Sequence, residues 1–485
     1  MGLAFIPLYI RFLGIEAYGL IGLFALLQAW LSLLDMGLTP TLGREMARFT
    51  GGSRSAESIR DLLRSIEFIA LAIALVGAAA IFLGSGWIAT SWIKADAMPT
   101  QVVAQAFAIM GLVAALRFAE GVYRSTIIGL QRHVLFNWVI SAMATLRGLG
   151  AIGVLAWVSP TIQAFFIWQG LVSIATLAIL GAATYRALPR GSRSGRFSMP
   201  ALRGVWRFAG GMVGITFLAL LLTQVDKILL SKLLTLSEYG YYTLAAIAAA
   251  AIYTLTLPIT QSWYPRLCEL HALEDRRALV ETYHQGAQLV AVVAGSAGLV
   301  LVIYAETILQ LWTQDGQLAE RVAPLLRLLA LGNLLHGLMG IPYYTQLAYG
   351  WTSLSIRINL VAIALVIPAL LWITPRFGAE GAALVWVSLT AGYVVLGAHF
   401  MYRKILEDEK WAWYWRDVIK PLAAALAVIG LVKLAVPDPE AAGAQALLLL
   451  VVSAGAFGAA IFAAGLVRQE FLVLVRNRFR EGRLA

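Results

Sequence analysis

The sequence has little charge and almost no cysteine. Its 485 residues include one cysteine, Cys268, so no disulfide can form within the chain. Charged residues make up 13% of the chain, whereas soluble globular proteins carry about 25%. So few charges cannot solvate the surface of a soluble protein of this length. With 60% hydrophobic residues, most of the surface must therefore face lipid.

Acidic residues are fewer than basic ones. The 26 Asp and Glu residues stand against 37 Lys and Arg residues, for a net charge of +11. Nucleic-acid binding would require a solvated basic face, but these charges lie in short segments between long apolar runs. This pattern is typical of a membrane protein with cationic cytoplasmic loops. We therefore expect membrane lipids around the chain and exclude nucleic acid as a partner.

The apolar runs predict an all-α integral membrane protein with about fourteen transmembrane helices, because one crossing needs about 20 residues. The segments lie near 1–13, 18–40, 66–89, 102–128, 134–158, 161–185, 206–231, 239–264, 287–310, 322–349, 355–374, 379–402, 418–436 and 444–466. The first segment is short for a full crossing. Either this helix is a half-span, or Met1 lies downstream of the true start, and we favour the second alternative.

The distribution of Lys and Arg predicts the orientation of the chain. Twenty-six of them fall in alternate loops and tails on one side, and six fall on the other side. By the positive-inside rule the first set is cytoplasmic, so we expect a multi-pass protein with both termini in the cytoplasm. The short inner loops near 41–65, 186–205, 265–286 and 403–417 are either interfacial helices or solvated connectors.

The sequence contains a weak internal repeat. The run Leu13–Gly19 resembles Leu234–Gly240 at an offset of 221 residues, and the same offset relates Tyr123 to Tyr344 and Gly129 to Gly350. Six predicted helices separate the copies, an even number, so both copies have the same orientation. The repeat predicts two six-helix lobes in a parallel pseudo-twofold arrangement around a central cavity, followed by two further helices.

These features predict five regions of the chain. We expect an N-terminal lobe at 1–190, a cytoplasmic linker at 191–205 and a C-terminal lobe at 206–402. A cytoplasmic loop at 403–417 follows, and residues 418–485 hold the last two helices and a basic cytoplasmic tail.

Ionisable side chains inside the predicted helices are candidate functional residues, because each costs about 2.5–3.5 kcal/mol to insert. Arg117, Glu120 and Arg124 share one helical face, and Arg147 lies near the middle of the next helix. Two cations and one carboxylate leave a net positive site, suited to an anion such as a pyrophosphate. The alternatives are that Arg117 and Glu120 pair and only connect helices, and that Arg124 extends to the interface.

Other polar residues within the helices allow two interpretations. Asp226 and Lys227 interrupt the seventh segment, and we expect Lys227 to line the cationic cavity. Asp35, Asp226 and Glu120 are candidates for coupling or structural carboxylates. His336 and His399 are lone histidines in apolar helices, where packed imidazoles are more common than proton carriers. We predict no catalytic residue and no metal ligand.

Several sequence motifs of the chain resemble those of the polysaccharide (O-antigen-type oligosaccharide) flippase family. This family belongs to the multidrug/oligosaccharidyl-lipid/polysaccharide exporter superfamily. The resemblance covers nearly the whole chain and rests on Pro7-Leu8, Arg11-Phe12-Leu13-Gly14-Ile15-Glu16-Ala17-Tyr18-Gly19, Leu33-Leu34-Asp35-Met36-Gly37-Leu38, Gln224-Val225-Asp226-Lys227-Ile228-Leu229-Leu230-Ser231-Lys232 and Glu238-Tyr239-Gly240-Tyr241-Tyr242.

The resemblance implies a transporter in the bacterial inner membrane. Such a flippase moves undecaprenyl-diphosphate-linked oligosaccharide from the cytoplasmic to the periplasmic leaflet, for O-antigen, capsule or exopolysaccharide synthesis. It also implies a cationic lumen and H⁺ or Na⁺ as the coupling ion. A polysaccharide polymerase and a chain-length regulator are the expected protein partners.

Two other functions stay open from the sequence. A multidrug or lipid-precursor exporter of the same superfamily is one, although a cationic drug would favour a net negative lumen. A membrane-embedded glycosyltransferase or polymerase is the other, and it would need an acidic site in a sizeable loop. The acidic run Glu407-Asp408-Glu409 lies in a short loop between basic residues, and we interpret it as a solvated face.

Overall fold

The structure, a computed structural model, describes residues 2–35, 37–52, 55–188, 195–203, 224–437, 439–470 and Leu472. These described residues are nearly all helical and contain no β-strand beyond one isolated bridge between Lys94 and Thr235. The predicted all-α class is confirmed. The chain forms two compact units, Met1–Gly240 and Tyr241–Ala485, and the lobe and linker boundaries drawn from the sequence stay predictions.

The first unit begins with three helices, α1 (Gly2–Leu31), α2 (Leu38–Thr50) and α3 (Ala56–Trp87). They are followed by α4 (Thr100–Gly129), α5 (His133–Trp157), α6 (Ile162–Ala187) and the short α7 (Met199–Arg203). Residues 224–233 are helical and are called α8, and α9 spans Leu236–Ala249.

The second unit continues with α10 (Ala251–Ala272), α11 (Arg276–Ile303), α12 (Ala305–Thr313), α13 (Gly316–Leu338) and α14 (Gly340–Ala348). After α15 (Thr352–Gly392) come the short α16 (Ala398–Tyr402) and α17 (Lys410–Ala412), and then α18 (Lys420–Ala435) and α19 (Ala442–Ala463). The last two long helices pack on α11, with Ala425, Ile429 and Val452 buried in one apolar cluster with Val292.

Eleven helical stretches of the described residues are long and apolar enough to cross a membrane. One of them, Thr352–Tyr402, contains two predicted segments, since Gly378 interrupts the helix with a φ of 58°. The predicted segment 206–231 lies mostly outside the described residues. The predicted number of about fourteen helices agrees with these spans, and the chain is a multi-pass membrane protein.

The first predicted segment and the second as far as Leu31 form a bent pair inside α1, so the helix predicted at 18–40 ends earlier than expected. Gly14 has a φ of 81° and breaks the helix, a conformation that glycine adopts without strain. Tyr9 packs on Phe165 and Phe24 packs on Phe166, with ring centroids 5.1 and 5.2 Å apart. A straight helix would hold residues fifteen positions apart at ~22 Å, so the chain turns sharply at Gly14.

The two copies of the repeated motif pack against each other within the first unit. A Cβ atom on Gly19 would clash with the backbone oxygen of Leu236, and one on Gly240 would clash with the backbone oxygen of Ile15. The 221-residue offset relates Gly19 to Gly240 and Ile15 to Leu236. These reciprocal contacts are those of a local twofold axis, and they explain why both copies end in glycine.

Glu16 of the same motif holds a loop in place. Its carboxylate accepts hydrogen bonds from the backbone N–H groups of Asp96, Ala97 and Met98, at 2.8 to 3.2 Å. The Asp96 carboxylate in turn accepts from the N–H of Ser237 at 3.2 Å. The motif that carries much of the family resemblance therefore has a structural role here.

The loops predicted near 41–65 and 186–205 pack on the helices of the first unit. Three residues of α2, Leu38, Leu42 and Met46, are buried against α3. The backbone N–H of Arg196, just before α7, donates to the Asp61 carboxylate at 2.8 Å. From the sequence alone, these loops were either interfacial helices or solvated connectors. In both loops the described residues dock on the start of α3.

Candidate functional site

Arg117 lies near the middle of α4 and is held by neutral groups. Its Nη1 donates to Gln28 Oε1 of α1, and its Nη2 donates to Gln169 Oε1 of α6, both at 2.8 Å. The Phe24 ring lies 4.9 Å from the guanidinium carbon, within the range of a cation–π contact. These contacts orient the guanidinium group without neutralising its charge.

Arg147, near the middle of α5, contacts the carboxylate of the site. Its Nη2 lies 3.7 Å from Glu120 Oε1 and donates to the Ser173 hydroxyl at 3.3 Å. The Glu120 side chain is 4% exposed and that of Arg147 is 23% exposed. Glu120 therefore pairs loosely with Arg147, and not with Arg117 as in the alternative drawn from the sequence. We call Arg117, Glu120 and Arg147 the arginine cluster.

The arginine cluster retains unused hydrogen-bonding capacity. Among the described residues, the Nε atoms of Arg117 and Arg147 and the Oε1 atom of Glu120 are buried without a hydrogen-bond partner. Two guanidinium groups and one carboxylate give the cluster a surplus of one positive charge. Buried polar groups are normally satisfied by a hydrogen-bond partner. The unused donors and the surplus positive charge therefore give the cluster the chemistry of an anion-binding site.

Arg124 is placed differently from the other two arginines. Its side chain is exposed and lies over the Phe136 ring at 5.9 Å. With Arg44 and Ser125 it lines a shallow cleft of about 510 Å³ beside α2. Arg124 therefore lies close to the C-terminal end of α4, as expected for the alternative in which it extends to the interface.

Lys227 and Asp226 lie in α8. Lys227 Nζ donates to Gln224 Oε1 at 3.2 Å. One carboxylate oxygen of Asp226 is buried without a partner among the described residues. Because residues 204–223, which precede this pair, lie outside the described part of the chain, the roles of Asp226 and Lys227 stay predictions.

Asp35 lies after the end of α1 and contacts the start of α2. Both of its carboxylate oxygens accept from the backbone N–H of Thr39 at 3.1 Å, and the Thr39 hydroxyl also donates to it. Burial raises the pKa of the Asp35 carboxyl above its usual value, and the hydrogen bonds from Thr39 oppose that rise. This geometry is that of a helix-capping carboxylate.

The sequence reasoning missed a buried cluster in the second unit. His284 of α11 lies between two carboxylates: its Nδ1 contacts Asp417, and its Nε2 lies 2.9 Å from Glu409 Oε2. Gln288, one turn along, donates to Asp417 Oδ1 at 2.8 Å. We call Glu409, His284 and Asp417 the histidine cluster. His284 is 1% exposed and Asp417 is fully buried.

The histidine cluster corrects one interpretation of the sequence. Glu407 and Asp408 are exposed, as a solvated face requires, but Glu409 contacts buried His284. The available signal was the pair of polar residues His284 and Gln288, one turn apart at the start of a long apolar run. Because the two carboxylates lie on opposite sides of the imidazole, they do not converge on one point. Across the described residues no group of His, Cys, Asp or Glu is arranged to hold a metal ion.

Comparison with known proteins agrees with this architecture. A curated protein of Shigella flexneri named "Putative O-antigen transporter" is 19% identical over 377 residues, which cover 78% of this chain and 87% of that protein. Lipid II flippase MurJ, in an inward closed conformation, has a TM-score of 0.69 and 13% identity, with 96% of this chain and 97% of that chain covered.

A multidrug resistance MATE family transporter of the MOP superfamily, in an inward-facing conformation, has a TM-score of 0.64 and 12% identity. The match covers 84% of this chain and 94% of that chain. Both solved structures share the fold of this chain. All three proteins are transporters or flippases, in agreement with the expectation of a transporter and not an enzyme.

The family itself follows from a direct match of sequence. The family model described as "Polysaccharide biosynthesis protein" matches residues 8–315, which is more than half of the chain. The chain therefore belongs to the polysaccharide biosynthesis protein family.

Proposed function

We propose that this protein is a flippase that moves undecaprenyl-diphosphate-linked oligosaccharide from the cytoplasmic to the periplasmic leaflet. The observation that carries the proposal is the arginine cluster. It places a surplus positive charge near the middle of α4 and α5, with Arg117 held by two neutral amides and one aromatic ring. The family and the named relatives support polysaccharide synthesis as the process served.

The charge of the arginine cluster favours a phosphate-bearing ligand. A guanidinium group presents a planar fork of N–H donors that matches phosphate oxygens. A pyrophosphate would supply acceptors for the unused donors of Arg117 and Arg147 and would neutralise the surplus charge. A cationic drug would be repelled by the same charge, which disfavours a multidrug exporter.

The proposed cycle uses alternating access. The pyrophosphate of the lipid-linked headgroup binds from the cytoplasmic side at Arg117 and Arg147, with Arg124 near the inner end of the same helix and Lys227 in α8 as further cations. The bound anion supplies the differential affinity that shifts the protein toward a periplasm-open state. The glycan is released outward for O-antigen, capsule or exopolysaccharide synthesis.

A coupling ion and partner proteins complete the proposal. A proton or sodium ion drives the cycle, with Glu120 and Asp226 as the candidate carboxylates, since the capping geometry of Asp35 favours a structural role. The protein lies in the bacterial inner membrane with both termini in the cytoplasm. A polysaccharide polymerase and a chain-length regulator act on the product outside.

The proposal is tested by neutralising both arginines. The Arg117→Gln/Arg147→Gln double variant, expressed in a strain that lacks the chromosomal gene, is expected to reduce surface polysaccharide to the level of the deletion. Protein levels in the membrane should stay near those of the wild type. Polysaccharide is measured by gel electrophoresis and staining of cell extracts.

A matched control uses an arginine on an exposed helix face. Arg376 of α15 donates to the backbone oxygen of Trp372 and lies over that ring at 4.4 Å. Arg376→Gln removes one cation from a membrane helix and should leave polysaccharide unchanged. Normal polysaccharide in the double variant would refute the proposed role of the arginine cluster.

A further inference from the structure

Aromatic and polar side chains meet at the middle of the second unit, far along the chain from the arginine cluster. Tyr253 of α10 and Trp386 of α15 both contact Asn333 of α13. The Tyr253 hydroxyl donates to Asn333 Oδ1 at 3.1 Å, and Trp386 Nε1 donates to the same oxygen at 3.0 Å. Both rings are thereby fixed in orientation.

These two donors also fix the Asn333 amide. An indole N–H can only donate, so the atom facing Trp386 must be the amide oxygen. Both acceptor positions of that oxygen are then occupied. The amide NH₂ group points away from both rings and is the part of Asn333 left to bind something else.

His336 lies one turn after Asn333 and is surrounded by rings. Its imidazole is 5.5 Å from Tyr253 in an edge-to-face arrangement, 5.9 Å from Trp386 and 6.1 Å from Tyr393. Among the described residues it makes no hydrogen bond, yet the residue is exposed. An imidazole within a membrane-spanning helix usually pairs with another polar group.

The aromatic residues around His336 are partly accessible. The span that contains it, Gly316–Ala348, is 67% buried over its most apolar stretch, the largest share among the eleven spans. Rings from α10 and α15 flank the imidazole on either side. The exposed His336 and the partly exposed Tyr253, Trp386 and Tyr393 therefore share one accessible surface within the second unit.

We propose that Tyr253, Asn333, His336, Trp386 and Tyr393 form a sugar-binding subsite. A pyranose ring has apolar C–H faces and polar hydroxyl edges, so it needs aromatic surfaces together with a few fixed donors and acceptors. The subsite has both: three aromatic faces, one oriented amide NH₂, and an imidazole that offers one donor and one acceptor. Among the described residues no carboxylate contacts these rings, so the subsite lacks the negative charge that would favour a cation over a neutral sugar.

The internal repeat gives the subsite a place in the proposed function, on which this inference rests. The 221-residue offset relates α4 to α13 and aligns Arg117 with Leu338 in sequence, and Leu338 follows both Asn333 and His336 by less than two turns of α13. Corresponding stretches of the two copies thus carry different chemistry, cationic in the first and sugar-binding in the second. A lipid-linked oligosaccharide needs both.

Native mass spectrometry of the purified full-length protein tests the subsite with two probes. One probe is bare undecaprenyl diphosphate, and the other is the lipid-linked oligosaccharide pool extracted from the native host. His336→Ala is the main variant, because His336 makes no hydrogen bond and its loss should leave the fold intact. Asn333→Leu is the second variant, and His399→Ala is the matched control.

His336→Ala is expected to bind the glycosylated lipid about three- to tenfold more weakly than the wild type. This is the change in affinity expected from the loss of one ring contact. Its binding of bare undecaprenyl diphosphate should be unchanged. The Arg117→Gln/Arg147→Gln variant should lose both ligands. This pattern would separate a sugar subsite from the phosphate site.

Equal binding of both lipids by His336→Ala, Asn333→Leu and the wild type would overturn the subsite and leave the proposed function standing. A wild-type protein that binds neither lipid would instead refute the proposed function. If the wild type binds tetraphenylphosphonium and His336→Ala does not, the proposed sugar-binding subsite is a cation site. That result would overturn the inference.

Discussion

The arginine cluster and the histidine cluster are both largely buried groups of ionisable side chains, but only the histidine cluster has its hydrogen-bonding groups satisfied. In the histidine cluster both imidazole nitrogens contact a carboxylate, and Asp417 also accepts from Gln288 and from Arg416 Nε at 3.2 Å. In the arginine cluster two guanidinium Nε atoms and a carboxylate oxygen are buried without a partner.

This difference separates a structural role from a binding role. A buried ionic group with a full set of partners adds rigidity and needs nothing further. A group with surplus charge and unused donors costs free energy in the empty protein, and that cost is recovered only when a ligand of opposite charge binds. We therefore expect substitutions in the histidine cluster to affect stability, and substitutions in the arginine cluster to affect ligand binding.

The largest effect is expected from Asp417→Ala. It leaves the buried imidazole of His284 and the amide of Gln288 without their main acceptor, and breaking such a buried pair costs about 3–5 kcal/mol. The thermal unfolding midpoint of the detergent-purified protein should fall sharply, and the amount of protein in the membrane should fall with it.

Asp408→Ala is the control for this substitution, because the Asp408 side chain is 93% exposed and belongs to the same loop as Glu409. It should leave the unfolding midpoint unchanged. Equal midpoints for Asp417→Ala and the wild type would show that the histidine cluster does not stabilise the fold. The structural role assigned to this cluster would then be wrong.

A smaller effect is expected when an anionic ligand is added to the wild type. Undecaprenyl diphosphate at about 100 times its dissociation constant should stabilise the folded protein by about 2.7 kcal/mol, since it binds only the folded state. The Arg117→Gln/Arg147→Gln variant should show no such stabilisation. The measurement is the unfolding midpoint with and without the lipid.

The outcome that contradicts this expectation is an equal rise in both proteins. In that case the lipid would bind through its apolar chain or at another cationic surface, and the surplus charge of the arginine cluster would have no ligand. The Asp417→Ala variant, where it can be purified, should still respond to the lipid, because the arginine cluster is intact in it.

Much of the fold followed from sequence, for simple physical reasons. Apolar runs of the length of a bilayer define the helices, and the break before the predicted segment at 379 coincides with Gly378. The offset of 221 residues identified Gly19 and Gly240, although only the structure shows that each packs on the other copy of the motif. Helix period and length are local properties, and a sequence displays them directly.

The contacts of the site were less predictable. The spacing of Arg117, Glu120 and Arg124 gave a shared helix face, but it could not show that Glu120 would meet Arg147 or that Gln28 and Gln169 would hold Arg117. The partners lie 27 to 89 residues away along the chain. His284 and Asp417 are 133 residues apart, and no local pattern connects them.

Asp35 tests the distinction between structural and functional carboxylates with the smallest expected effect. Asparagine is as good a helix-capping residue as aspartate, so Asp35→Asn should keep the hydrogen bond from Thr39 and change the free energy of unfolding by less than about 0.5 kcal/mol. Surface polysaccharide should stay normal. Loss of polysaccharide in this variant would instead make Asp35 a coupling-ion site.

The pH dependence of stability provides a second measurement on the same variant. Because burial raises the pKa of the Asp35 carboxyl above its ordinary value of 3.8, the folded state holds this proton more tightly than the unfolded state. The resulting stabilisation is complete below the ordinary pKa and is lost as the pH rises through the raised pKa. Asp35→Asn carries no such proton, so its free energy of unfolding should vary less over that pH interval. The same pH profile in Asp35→Asn and the wild type would mean that Asp35 titrates alike in the folded and unfolded states. Asp35 would then not be buried as the structure places it.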